Sequence, residues 1–315
     1  MKRKSLFILV TVTLMVLLLG GCGNIAGDGV LISEKNTSEF SSVDVTTSFS
    51  RIEFIPSDRY GFEMFAPESF APEWDITNGR LTIRENTNGS FFRLSIFSRY
   101  YVKVYYPAGS GFDDVSLTSA SGRIDLPKTD VTHLNIRSSS GRVDANAENF
   151  ANASVETASG NITFSGSGGN ADLESSSGTV QSVIYDCESM HVTTSSGRVT
   201  LTGKGDSAAK LTVNTLSGRI QIDGAAWRDI TAVTSSGSTT ISGELLGITS
   251  VDTASGSVSI KVHGSPLEYG YTLTPNSGSV HWNGERMAKP ALSSGSFDNH
   301  IIVNTASGGI RVSFI

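Results

Sequence analysis

A Ser–Gly pair returns ten times along the second two-thirds of this 315-residue chain, and that return limits the fold more than any other feature. Its glycines are Gly122, Gly141, Gly160, Gly178, Gly197, Gly218, Gly237, Gly256, Gly278 and Gly308, at intervals of 19, 19, 18, 19, 21, 19, 19, 22 and 30 residues. Aligned on the glycine, the units fall into columns. Two residues after it stand Ile124, Val143, Ile162, Val180, Val199, Ile220, Thr239, Val258, Val280 and Ile310, nine of ten being the β-branched aliphatics that pack best on a pleated surface. Five residues before it, from Leu117 to Val303, every residue is apolar. The third residue before the glycine is Thr or Ser in nine units, and the first is Ser in all ten. Alternation along a strand puts the seventh, fifth, third and first preceding residues on one face. In "TSSGRV", residues 194–199, this turns Thr194 and Ser196 inward as a rung of stacked hydroxyls. It also gives Gly197 a sharp bend with positive φ.

Units that carry the same residue types at the same offset from the same corner stack in register. About 19 residues suit one coil of a solenoid whose neighbours pair as parallel strands roughly 4.8 Å apart. The reading is therefore all-β: a single-stranded parallel β-helix of about ten regular coils. An antiparallel sandwich or meander is the alternative, but it needs a turn about every ten residues and gives no reason for alternate corners to match. No Pro lies between Pro127 and Pro266, as an unbroken ladder requires. Upstream the pattern degenerates: Val43, Val45, Ile52 and Phe54 keep the offsets around Ser50, and Trp74, Leu81 and Ile83 keep them around Gly79. Residues 43–112 hold half of the prolines and read as an irregular β cap, and residues 113–315 read as the solenoid, with a hairpin insertion near 281–300 marked by Asn-Gly and Pro.

The N-terminus carries a separate message. Lys2, Arg3 and Lys4 precede an apolar run from Leu6 to Leu19, the layout of a secretory signal over residues 1–21. The run ends in "LGGC", which resembles a lipobox and implies lipid on Cys22, with residues 22–42 as tether. Without residues 1–21, 21 Lys and Arg face 30 Asp and Glu, and the net charge moves from −6 to −9. That balance argues against nucleic acid as a partner. Lipid on Cys22 leaves Cys187 without a disulfide partner, and Cys187 reads as a small buried side chain. The lipobox, the degenerate β start and the T-x-S-G-x-[VI] units together resemble the bacterial β-strand-repeat family named "putative adhesin", a domain of unknown function. The likeness spans about residues 40–315 and implies an extracytoplasmic, membrane-tethered solenoid without a catalytic motif.

Catalysis finds little support in the residues themselves. A serine nucleophile needs a base, and His133, His191, His263, His281 and His300 share no column. A serine repeated ten times specifies a fold rather than a reaction. No His/Cys cluster offers a metal site, and "SGSGGNADL" at 165–173 reads as a loop. No cofactor is expected. Arg123 and Arg142, then Arg198 and Arg219, stand one residue after the glycine on successive units and point outward, as candidate anion-binding residues. Asp125 and Asp144 sit two residues beyond the first pair, where neutralisation is the competing role. Phe91, Phe92, Tyr100, Tyr101, Tyr105 and Tyr106 gather in the cap, as packing or as a surface for a glycan or protein. The expectation is a non-enzymatic, lipid-anchored module of the bacterial cell envelope, an adhesin or scaffold meeting an envelope protein or glycan. An accessory role in envelope-stress signalling, or a polysaccharide-active β-helix enzyme, are the alternatives; the second lacks the long loops such enzymes need.

Overall fold

The computed structural model describes residues 29–67, 72–85, 100–205 and 209–315. Residues 1–28, with the leader and Cys22, and the cap aromatics Phe91 and Phe92 lie outside the described residues. The chain winds into a parallel β-solenoid, one continuous sheet of 23 strands among the described residues, whose coils contribute one segment to each of two ladders, here called sheets I and II. Sheet I holds the segment leading into the Ser–Gly corner and sheet II the segment leaving it. In six coils one strand makes the whole circuit between successive Ser–Gly corners, as in Ile124–Ser138, Val143–Thr157 and Val180–Thr194. These strands bend at the far corner, where the register slips, for example between Glu148 and Phe150.

Register turns the sequence columns into ladders. On sheet II, Ile124, Val143, Ile162, Val180, Val199 and Ile220 pair in succession. On sheet I, Leu117, Ile136, Val155, Leu173, Val192 and Val213 do the same. All twelve are at most 1 % exposed. They face each other across the coil as one continuous core, each burial contributing about 1.5–3 kcal/mol. Parallel pairing between coils rules out the antiparallel meander. Among the described residues antiparallel pairs occur only in the end structures.

The coils do not stack in chain order at either end. The coil of strands Ser42–Thr47 and Arg51–Ser57 lies second from its end. It pairs outward with Arg80–Arg84 and Tyr101–Pro107 and inward with Phe112–Ser119 and Ile124–Ser138. The last coil, Asn299–Ser307 and Ile310–Phe314, slots between Thr239–Val262 and Tyr269–Trp282. Each end is then covered by antiparallel strands. Gly61–Pro67 pairs with Tyr101–Pro107, and Gly29–Glu34 with Gly61–Pro67. At the other end Glu285–Met287 pairs with Val280–Trp282, and Ala291–Leu292 with Thr272 and Leu273. Such cover replaces the long parallel edge of a regular coil with short antiparallel strands, a poorer template for another chain to pair with.

Gly79 departs from the sequence reading. It is no corner of the stack but the turn of an antiparallel hairpin, at φ +72°, and Leu81 pairs with Val43 rather than continuing a coil of its own. Leu81 and Ile83 are buried as expected, whereas Trp74 is 40 % exposed. Ser50 does start the column of corners, since its carbonyl faces Gly122.

Candidate functional site

The Ser–Gly corner is where the sequence concentrated its most repeated residues, and the structure explains them in a different way from the sequence. None of the ten glycines except Gly278, at φ +108°, lies in the left-handed region. Gly197 therefore does not serve a positive φ. A Cβ added there would stand 1.8 Å from the carbonyl oxygen of Gly178 and 2.8 Å from Thr194 Oγ1. The same contact recurs from Ser50 through Gly122, Gly141, Gly160, Gly178, Gly197, Gly218, Gly237 and Gly256 to Gly308, and from Gly308 to Gly278, at 1.8–2.2 Å. The column is glycine because each coil lies against the backbone of the one before. Left-handed residues gather instead at the far corner, at Asn149, Asp229 and Gly247.

The hydroxyl three residues before the glycine is the second half of the corner. Ser119, Ser138, Thr157, Ser175, Thr194 and Thr215 are each at most 7 % exposed. Each accepts the N–H of its glycine at 2.8–3.0 Å, from Gly122 through Gly218. The staple stops there: Thr234 and Thr253 are buried and their Oγ1 atoms have no partner. Ser196 corrects the inward rung. It and the corresponding Ser of every other unit are exposed, as is the residue before, because the strand ends at Thr194 and both corner residues turn outward. None of these exposed serines has a base. His191 Nε2 lies 3.1 Å from Thr193 Oγ1 and His300 Nε2 3.1 Å from Thr272 Oγ1, which orients rings without assembling a nucleophile. Among the described residues no group of three His, Cys, Asp or Glu is placed to hold a metal.

The arginine column divides into two parts. Arg51, Arg123 and Arg142 on adjacent coils interleave with acids on sheet II. Arg51 reaches Glu53 and Asp125 at 2.8 Å, Arg123 reaches Asp125 and Asp144 at 2.7 Å, and Arg142 reaches Asp144 at 2.9 Å. Arg123 and Arg142 are thus neutralised within the stack. Arg198 and Arg219 have Thr200 and Gln221 at the equivalent positions and enter no ion pair with any of the described residues. Beside the acidic ladder runs a shallow groove of about 380 Å³ lined by Glu53, Ile55, Asp125, Pro127, Asp144 and Asn146 among others.

A polar cluster that the sequence reading left undivided sits on the outermost strands of the same sheet. Tyr101 donates to Glu63 at 2.7 Å, and Lys103 lies 3.4 Å from the same oxygen and 4.2 Å from the Tyr101 ring centroid. The Tyr101 hydrogen bond holds the Glu63 carboxyl below its ordinary range. Burial, helped by Glu63, pushes the Tyr101 phenol up to about 12. The alternation in "YYVKVYYP" was the available signal: Tyr101, Lys103 and Tyr105 are half-buried on the outer face, while Val102, Val104 and Tyr106 are core. Cys187 is 3 % exposed, with its sulfur 2.9 Å from Gly169 O, and burial pushes its thiol up to about 11. It is the small buried side chain the sequence anticipated.

With this geometry in place, comparison with known proteins is decisive at the level of family. The model of the family described as Toastrack DUF4097 matches residues 71–207 and 168–313. The chain belongs to that Toastrack family. Its two overlapping matches span both halves of the stack, as expected of a repeat in which one coil resembles the next. A solved "putative adhesin" from Bacteroides fragilis is 12 % identical at a TM-score of 0.44, covering 90 % of this chain and 96 % of its own. A "putative lipid binding protein" from Parabacteroides distasonis is 15 % identical at 0.45, covering 91 % and 97 %. A "putative adhesin" from the same species is 12 % identical at 0.35, covering 90 % and 98 %. No curated protein matches the chain.

Proposed function

We propose that this Toastrack protein is a non-enzymatic interaction module of the bacterial cell surface, adhesin-like or a scaffold, held to the membrane by lipid on Cys22. One observation carries the reading: the corner glycines, and through Gly218 the inward hydroxyls that bind them, are taken up by the stack, while residues on the outer faces of the coils change from coil to coil. The glycine contacts and hydroxyl staples fix register. The two outer faces are left free to vary, as a recognition surface on a rigid support requires. Coils of 18 to 22 residues through most of the stack add no catalytic loops to those faces. Capture by an envelope protein or glycan fits this design, with no nucleic acid and no cofactor involved.

Two measurements on the full chain test it. Cys22→Ala is expected to abolish palmitate labelling; labelling that persists removes the anchor. Purified protein is expected to sediment with cell envelopes of its own species and to leave envelope polysaccharides uncut. Sustained depolymerisation would make it an enzyme and end the proposal.

A further inference from the structure

The arginine column contains its own control. Where Arg follows the corner residue in the first coils, after Ser50, Gly122 and Gly141, an acid stands two residues on: Arg51-Ile52-Glu53, Arg123-Ile124-Asp125, Arg142-Val143-Asp144. In the middle of the stack the same backbone position reads Arg198-Val199-Thr200 and Arg219-Ile220-Gln221. Val199 pairs with Ile220, so the two arginines are directly opposite on neighbouring parallel strands, about 4.8 Å apart at the backbone. The next coils supply Thr179 and Gln181 on one side and Ser238 and Thr240 on the other, so among the described residues no carboxylate stands at the neighbouring positions. The nearest acid along the strand, Asp223, accepts from Gln221 Nε2 at 2.6 Å. Both arginines are exposed, and like charges directly opposite across a ladder destabilise it. The fold tolerates two unneutralised guanidinium groups side by side in a chain whose net charge is −6.

We propose that Arg198 and Arg219 form a seat for one phosphate group of an anionic polymer strand. Two guanidinium forks a strand spacing apart reach the oxygens of one phosphate from both sides, and each fork gives two parallel N–H donors. The exposed hydroxyls of Ser196 and Ser217, two residues before each arginine, border the seat and add donors for a bound oxyanion. A membrane surface is the poorer occupant. A lipid bilayer needs a broad cationic face, and here the pair is bordered by neutral residues while Arg123 and Arg142 are already paired. A narrow polyanion touches the pair without meeting the acids. This rests on the reading of the protein as an interaction module and names one partner chemistry for it.

The test titrates fluorescein-labelled polyphosphate with the full chain in non-ionic detergent and follows anisotropy. The double variant R198Q/R219Q is expected to weaken binding at least about tenfold, the scale of a lost charge-assisted pair. R198K/R219K, which keeps charge and loses the fork, falls between. R123Q/R142Q is expected to stay within about twofold of the parent. Equal loss in both glutamine pairs, or no loss in R198Q/R219Q, overturns the seat. Binding to vesicles rich in anionic phospholipid that drops in parallel with polyphosphate binding overturns the choice of a polymer. Thermal melts are expected at or slightly above the parent's for R198Q/R219Q, which relieves a like-charge contact, and slightly below it for R123Q/R142Q, which breaks exposed ion pairs, with every variant folded. Envelope sedimentation of R198Q/R219Q separates the two proposals. If the protein sediments but never binds polyphosphate, the seat fails alone; if it binds polyphosphate but never sediments, the module reading fails.

Discussion

Between Gly122 and Gly256 the coils follow one another in space as in sequence, whereas at both ends a terminal coil lies one place inside its neighbour in sequence. The interior is specified locally. Each coil offers the same glycine and the same aliphatic columns to the coil on either side, so one rule serves throughout. The ends are specified by long-range insertion. Strand Ser42–Thr47 is hydrogen-bonded on both flanks, as is Asn299–Ser307, so fraying either terminal coil breaks two ladders instead of one. The outermost coils are then held by both of their chain connections. A stack built from interchangeable coils gains defined ends this way, and the antiparallel strands laid over them block further growth.

The sharpest way to break the comparison is to put the same methyl group into each region. Gly197→Ala sets a Cβ against the Gly178 carbonyl, backbone against backbone, with neighbours fixed by the ladders on both sides. A loss above about 4 kcal/mol is expected in urea unfolding, or failure to fold. Gly79→Ala in the N-terminal end structure meets nothing within 4 Å and has only its φ of +72° to strain. Its expected loss is about 1–2 kcal/mol. Comparable losses would mean that the glycine column is tolerated slack rather than the contact that sets coil spacing.

The corner hydroxyls give a smaller and finer test. Thr194→Val keeps the shape of a side chain 2 % exposed and strands the Gly197 N–H, an expected loss of about 1–3 kcal/mol. Thr234→Val, at the equivalent place three coils from the C-terminal end of the stack, removes a buried Oγ1 that has no partner. It is expected to be neutral or to stabilise by up to about 1 kcal/mol. Urea midpoints of the two variants on one parent decide it. If both fall equally, the staple contributes nothing that packing does not.

The columns were legible because register is a sequence property in a repeat: Val155 and Leu173 share an offset from glycine, and offset alone made them neighbours. The reason for the glycine was not legible. The atom that excludes a side chain at Gly197 belongs to Gly178, one coil away, and a six-residue unit contains no trace of it. Ser196 was misplaced because alternation was carried through the corner, whereas it stops with the strand at Thr194. The order of coils at the ends was hidden by the repeat itself, since coils with like columns pair equally well in either order. The division of the arginines was readable in the residue two positions on, Asp144 against Thr200, and needed only the stack to show which groups touch.

The two regions also differ in how they meet pH, and the effect is the smallest of the three. The N-terminal end holds Glu63 and Tyr101 in one hydrogen bond, whereas the ladder of the middle coils contains aliphatic side chains that do not titrate. Glu63 has a lowered folded pKa, chiefly from Tyr101. Its contribution is therefore present above the ordinary carboxylate range and is lost as pH falls through the folded value. Tyr101 has a raised pKa, first from burial and then from Glu63, so its contribution is complete below pH 10 and is lost as pH rises toward about 12. The end structure is thus expected to loosen at both extremes. Tyr101→Phe should flatten the alkaline limb and shrink the acid one, because Glu63 keeps Lys103 and the more distant Lys35 but loses its largest stabilising partner. Hydrogen exchange of Tyr101–Pro107 amides, compared with Val180–Thr194 between pH 4 and 7, reads the acid limb without the alkaline complication. If Tyr101→Phe changes exchange in both segments alike, the ends and the middle unfold as one unit, and the distinction between local and inserted coils does not extend to stability.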